Sequence, residues 1–174
     1  MRGIVNVFID GAYLRVGAAE KELGFADPYR LSLTAIKTLD HSGFRGLTLG
    51  GVTYFDGRPD EDEDASSELL EYWEKIRFLD HTHLGFGMVR GQRQRQKGVD
   101  TLIAVRMLKG AYDRIFDTAI LVTGDADFVP VVEEVRSRGI TVVLAAFDDG
   151  TLSQDLRAAA DRTIYLEEHN WKAI

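Results

Sequence analysis

Leu121-Val122-Thr123-Gly124-Asp125-Ala126-Asp127-Phe128-Val129-Pro130-Val131-Val132 decides the fold. Ile120 to Val122 is an apolar run with two β-branched residues, and Thr123-Gly124 breaks it, so a strand ends there at a turn. Beyond the turn, Phe128, Val131, Val132 and Val135 recur at helical spacing, with a proline in the first turn, and residues 128–138 read as a helix. Asp125 and Asp127 therefore stand at a strand-to-helix crossing. In open α/β sheets ligands bind outside the carboxyl ends of the strands, which is where this pair falls. A purely structural role is the alternative: Asp127 caps the helix and Asp125 stabilises the turn.

The same alternation runs through the rest of the chain. Residues 4–9 form a nearly continuous β-rich run ending at Asp10-Gly11, as expected for a strand buried on both faces. Residues 12–23 and 31–39 carry helical periodicity. A second strand over 47–55 is closed by Asp56-Gly57-Arg58-Pro59, strong turn chemistry that opens an acidic, solvated tract over 56–64. A helix over 66–79, a strand over 82–89 and a helix over 100–112 precede the fourth strand at 118–122. A fifth strand over 140–147, a short helix over 152–160 and a sixth strand over 163–166 follow. Strands alternating with helices predict parallel pairing through right-handed crossovers, hence an α/β fold: a three-layer α/β/α sandwich around a mainly parallel sheet. One domain spans 1–174, with residues 166–174 as a C-terminal tail that Trp171 either docks or offers to a partner.

Composition sets the bounds. Hydrophobic residues at 45% and charged ones at 28% fit a globular chain of 174 residues. No apolar run reaches the ~20 residues of a membrane span, and the start shows no signal-peptide core, so the expectation is a cytoplasmic protein that engages no membrane. The absence of cysteine leaves oxygen and histidine nitrogen as metal ligands. A net charge of −7 weighs against nonspecific affinity for phosphate backbones. Even so, Arg90, Arg93, Arg95 and Lys97 form a basic strip without an acid, just before Asp100, and such a strip suits contact with nucleic-acid phosphates.

Asp10 follows the first strand and Asp125 the fourth, Asp100 opens the helix after the third, and Asp127 joins them. In a parallel sheet all four meet at one rim. Such a cluster is costly without a cation, because like charges repel and push one another's pKa upward. Hard oxygen ligands suit Mg²⁺ or Mn²⁺, and a metal-bound water attacks phosphate esters. His81 and His83 make a far weaker metal candidate, and His41 and His169 have nothing to pair with. Neither a P-loop nor a Gly-x-Ser-x-Gly elbow is present.

Three motifs, Val7-Phe8-Ile9-Asp10-Gly11, Lys97-Gly98-Val99-Asp100 and Thr123-Gly124-Asp125-Ala126-Asp127-Phe128-Val129-Pro130, occur in an order and spacing that resembles an NYN domain of the LabA-like group, within the PIN-like nuclease superfamily. The resemblance implies a PIN-like α/β/α fold and a divalent-metal site built from Asp10, Asp100, Asp125 and Asp127. It also implies RNA, single-stranded or structured, as the substrate. On that reading the chain is a metal-dependent ribonuclease, expected to be endonucleolytic. Asp10, Asp100 and Asp125 hold Mg²⁺ or Mn²⁺ directly or through water, and Asp127 adds a ligand or orients the water. Arg90, Arg93, Arg95 and Lys97 contact phosphates, with Tyr13 beside them, and a homodimer stays open.

Two positions depart from the family pattern. Tyr13 stands where an asparagine is common, and Arg106 where a second acid often follows Asp100. Both feed the alternative, a catalytically weak or inactive NYN-domain protein that binds RNA and regulates. A receiver-like phosphoacceptor ranks last, since Phe147-Asp148-Asp149 supplies no lysine after the fifth strand.

Overall fold

A computed structural model describes residues 3–58, 65–88, 98–167, 171 and 173–174. In chain order the elements are β1 (Gly3–Asp10), α1 (Gly11–Glu20), α2 (Pro28–His41), β2 (Leu47–Arg58), α3 (Ser67–Arg77), β3 (Thr82–Met88) and α4 (Val99–Tyr112). There follow β4 (Thr118–Val122), a 3₁₀ turn (Ala126–Phe128), α5 (Val129–Ser137), β5 (Thr141–Ala146), α6 (Gln154–Ala159) and β6 (Arg162–Tyr165). The six strands form one sheet in the order β3-β2-β1-β4-β5-β6, and every neighbouring pair is parallel.

Strand chemistry explains the centre of this sheet. All five residues of β4, Thr-Ala-Ile-Leu-Val, are buried, which requires a helix layer on each face. Along β1, Val5, Val7 and Ile9 point into one core, with Leu14, Leu31, Leu39, Tyr72 and Ile76, while Phe8 points into the other, with Ile103, Met107, Val132 and Leu156. Helices α1 to α3 thus cover one face and α4 to α6 the opposite one. The chain moves outward from β1 to β3, then returns to the other side of β1 to place β4. Because crossovers are right-handed, that reversal moves the following helices to the second face.

Helix stripes and caps follow local sequence. Val99, Ile103, Met107 and Ala111 recur every four residues on α4 and are all buried. Asp27 accepts the Arg30 N–H and Pro28 opens α2, while Ser66 and Ser153 cap α3 and α6 in the same way.

Several boundaries differ from the sequence expectation. Helix α1 stops at Glu20, because Glu22 takes a left-handed conformation (φ 55°), so the apolar spacing to Leu23 continues beyond the helix itself. Strand β2 does not end at Phe55. Its ladder with β3 continues through Asp56↔Phe86, Gly57↔Gly87 and Arg58↔Met88, so the Asp-Gly pair read as a turn is strand. A 3₁₀ turn precedes α5, shortening the helix expected over 128–138. Of the described residues near the end of the chain, Trp171 is buried with its ring 6.0 Å from that of Phe147, and the Ile174 N–H donates to the Phe25 carbonyl.

Candidate functional site

Strands β1 and β4 are neighbours whose chains leave in opposite directions, toward β2 and toward β5. A crevice opens at their carboxyl ends, the usual position of a ligand in a doubly wound sheet. Ile9 pairs with Val122, which sets Asp10, the last residue of β1, beside Thr123, with Asp125 two residues further on. One acid from each strand stands at the crevice.

Each of these acids gives one oxygen to the backbone. Asp10 Oδ1 accepts the N–H groups of Ala12 and Tyr13 at 3.1 and 3.2 Å and so caps α1. Glycine follows it out of necessity, since a Cβ at Gly11 would come within 2.7 Å of the Phe55 carbonyl oxygen. Asp125 Oδ1 accepts the Asp127 N–H at 2.9 Å and opens the 3₁₀ turn. Of the structural roles weighed, the turn role of Asp125 is present, whereas the helix cap of Asp127 is not: α5 starts without a side-chain cap, and both side chains are exposed. Among the described residues nothing donates to Oδ2 of Asp10 or of Asp125, which leaves each carboxylate one oxygen for a ligand.

Asp100 reaches the rim by a different route. Gly98 turns the chain into α4 with φ 117°, a conformation that favours glycine, and makes no side-chain cap. Beneath it, a Cβ at Gly87 would lie 2.7 Å from the Val99 nitrogen. Strand β3 and the start of α4 are therefore in direct contact, and Asp100 follows Val99.

Electrostatics tie the acids together. Burial pushes the Asp10 carboxyl up to about 6 from 3.8, against its two capping hydrogen bonds, and the charges of Asp100 and Asp56 add to the rise. Asp100 is likewise raised, first by burial and then by the charges of Asp125 and Asp127. Asp100 thus links the four predicted aspartates: its charge acts on Asp10, and those of Asp125 and Asp127 act on it. Among the described residues none of them has a cationic partner, and no three acid or histidine side chains close round one point as a ready-made cage. The donor set fits a hard divalent ion that keeps most of its water and takes one or two carboxylates directly, as Mg²⁺ does.

Other predicted residues can be placed as well. Arg106 is exposed on α4 and pairs with none of the four aspartates, consistent with its different helix face. His81 and His83 are exposed, and the His81 ring lies 6.4 Å from Tyr29, so they form no metal group among the described residues. Arg90, Arg93, Arg95 and Lys97 lie outside the described residues, as does the acidic run over 59–64.

Tyr13 lines a cleft of about 290 Å³ beside Asp10 and Asp125. Its hydroxyl accepts the Phe147 N–H at 3.0 Å, tying α1 to the end of β5. The hydroxyl is thus committed inside the protein while the ring borders the cleft. Tyr13→Phe leaves that N–H without its partner, and we expect a loss of about 1 kcal/mol of stability. Urea unfolding of both forms measures it, and an unchanged midpoint would remove the tie.

Sequence reading missed Asp56. Placed in a solvated tract by its turn-like neighbours, it is instead fully buried at the end of β2. Its Oδ1 accepts from Arg15 Nη2 at 2.7 Å and from the Gly57 N–H at 2.9 Å, and its Oδ2 accepts from Trp73 Nε1 at 2.9 Å. This network joins α1, β2 and α3 behind Asp10. No local pattern announces a partner 41 residues away.

Comparison with known proteins agrees with this architecture. Over its whole length the fold is similar to a protein of unknown function, VPA0982 from Vibrio parahaemolyticus RIMD 2210633, with a TM-score of 0.72, 16% identity and coverage of 98% of this chain and 96% of that one. In sequence, the chain is similar to the uncharacterized protein y4oD of Sinorhizobium fredii (strain NBRC 101917 / NGR234), 34% identical over 87 residues. That match covers 49% of this chain and 40% of the relative's length. No helix among the described residues is long and apolar enough to cross a membrane. The NYN domain profile matches residues 4–167, and the chain belongs to the NYN domain family, whose members are generally nuclease-like.

Proposed function

We propose that this chain is a divalent-metal-dependent ribonuclease, endonucleolytic and of the LabA-like group, that hydrolyses RNA phosphodiesters at the crevice between β1 and β4. One observation carries the proposal: Asp10 and Asp125 meet at the switch point, and each has an oxygen left over from its cap. Asp100 and Asp127 add charge to the same rim. An acid cluster without a compensating cation costs stability, and family membership supplies a reason for keeping it.

In this reading Asp10, Asp100 and Asp125 hold Mg²⁺ or Mn²⁺, which when bound supplies a more acidic water and neutralises charge on the phosphate. The chain's own part is positional. Capping bonds fix Asp10 and Asp125 before substrate arrives, so little rearrangement accompanies binding. Asp127, whose side chain carries no capping duty, orients the attacking water or takes its proton. Arg90, Arg93, Arg95 and Lys97 hold flanking phosphates, where counterion release would make affinity fall with salt.

The second reading, an RNA-binding regulator with weak or absent catalysis, draws on the lack of a closed acid cage among the described residues and on Tyr13, whose hydroxyl is already engaged. Labelled mixed-sequence single-stranded RNA separates the two. We expect cleavage with Mg²⁺ or Mn²⁺ that EDTA abolishes. RNA retention without cleavage, independent of metal, would instead establish the regulator.

A further inference from the structure

The cleft beside the acids has a composition of its own. It runs from Asp10 and Asp125 along α1, past the Tyr13 ring and Val16, to Glu20 and to Asp149 on the loop after β5. Val16 is 60% exposed, although its neighbours Gly17 and Ala18 are buried, so an apolar surface faces the opening. Asp149 Oδ1 is taken by the Thr151 N–H and hydroxyl, at 2.9 and 2.6 Å, which fixes the carboxylate. Among the described residues that line the cleft there is no lysine or arginine. Lys21 stands nearby over the Phe147 ring, 5.9 Å from its centre.

These features select an occupant. A second backbone phosphate would meet Glu20 and Asp149, two carboxylates against the single nearby charge of Lys21, which already acts on Asp149 from outside the lining, so the sugar-phosphate chain leaves the cleft after the scissile group. A flat, neutral group suits the apolar middle, and the acceptors at the far end ask it for N–H donors. Carboxylates accept from exocyclic amino groups of bases, whereas uracil turns carbonyl oxygens toward them. We infer that this cleft is the pocket for the nucleobase next to the scissile phosphate, and that it favours bases bearing an exocyclic amino group over uracil. Tyr13 and Val16 provide the contact face, and Glu20 and Asp149 determine specificity.

This inference rests on the ribonuclease reading for the phosphate's position, but its test does not require cleavage. Cytidine and uridine, both neutral and without phosphate, are titrated into the intact chain while backbone amide resonances are followed. The expected result is a shift centred on residues 13–20, with cytidine about tenfold tighter than uridine. Glu20→Lys exchanges an acceptor for a donor at an exposed helix end, where a cation suits the dipole, and should remove or reverse the preference. Equal binding of both nucleosides, shifts elsewhere, no shift, or a preference untouched by Glu20→Lys would each overturn the inference. Cleavage of mixed RNA, run in parallel, keeps the two proposals apart. RNA cut without a nucleoside response sinks the base pocket alone, and a selective nucleoside response without RNA cleavage sinks the ribonuclease alone.

Discussion

Asp125→Asn is expected to lower RNA cleavage on the order of 10³-fold while leaving the fold unchanged. The magnitude follows from the ion's role, worth several kcal/mol of transition-state charge stabilisation, with each 1.4 kcal/mol amounting to a factor of ten. Structure survives because asparagine keeps the oxygen that matters locally. Oδ1 still accepts the Asp127 N–H now held at 2.9 Å, and asparagine caps as well as aspartate. A second readout is tied to the same charge. Asp125 is the largest of the charges raising Asp100, so the variant should bring the Asp100 carboxyl back toward its ordinary range. Cleavage kinetics, circular dichroism and carboxyl NMR titration test the three expectations. Full activity with the fold retained would take Asp125 out of the machinery.

Much of the fold was legible because its signals are local. β4 is apolar at four of its five buried positions, Thr118 alone being polar, and the fourth strand was read at its observed bounds. Parallel pairing followed from alternation alone, and it holds for all six strands, beyond the mainly parallel sheet expected. The errors fall where tertiary contacts override local chemistry. Asp56-Gly57 has the composition of a turn, but Arg15 and Trp73 satisfy the carboxylate and allow the strand to continue. Helix α1 shows the reverse, as Leu23 keeps an apolar contact with the core after the backbone has left the helix.

For the site, position was easier to read than role. Placing acids at the ends of β1 and β4 needed only the parallel topology, and the charge of Asp100 acting on Asp10, with those of Asp125 and Asp127 acting on Asp100, agrees with convergence. What stayed hidden is the division of labour within each carboxylate. That Asp125 rather than Asp127 makes the cap depends on the 3₁₀ turn, whose three residues carry no periodic signal. Tyr13 is similar: its hydroxyl partner lies 134 residues away, and nothing in the spacing links α1 to the end of β5.

Asp10→Asn is expected to make the metal-free protein more stable while abolishing cleavage, a combination that a merely structural cap would not give. Folded, Asp10 holds its proton up to about pH 6, whereas its ordinary value is 3.8. Between those values the folded chain binds more protons than the unfolded one, so rising pH lowers stability. The penalty reaches roughly 3 kcal/mol at most and is fully present above about pH 6. Asparagine stays neutral at every pH and still offers its oxygen to the Ala12 and Tyr13 N–H groups. We expect a gain of about 1–3 kcal/mol at pH 7, a Tm higher by several degrees, and a flatter stability profile between pH 4 and 6. Mg²⁺ should stabilise the native sequence by mass action and leave the variant unmoved. In the native sequence, protonation of Asp10 competes with the ion, so cleavage should fall as pH drops below about 6, approaching tenfold per unit. Thermal melts of both forms across pH, with and without Mg²⁺, decide it. A variant no more stable than the native chain at pH 7, with the same response to Mg²⁺, would mean that Asp10 serves only to begin α1.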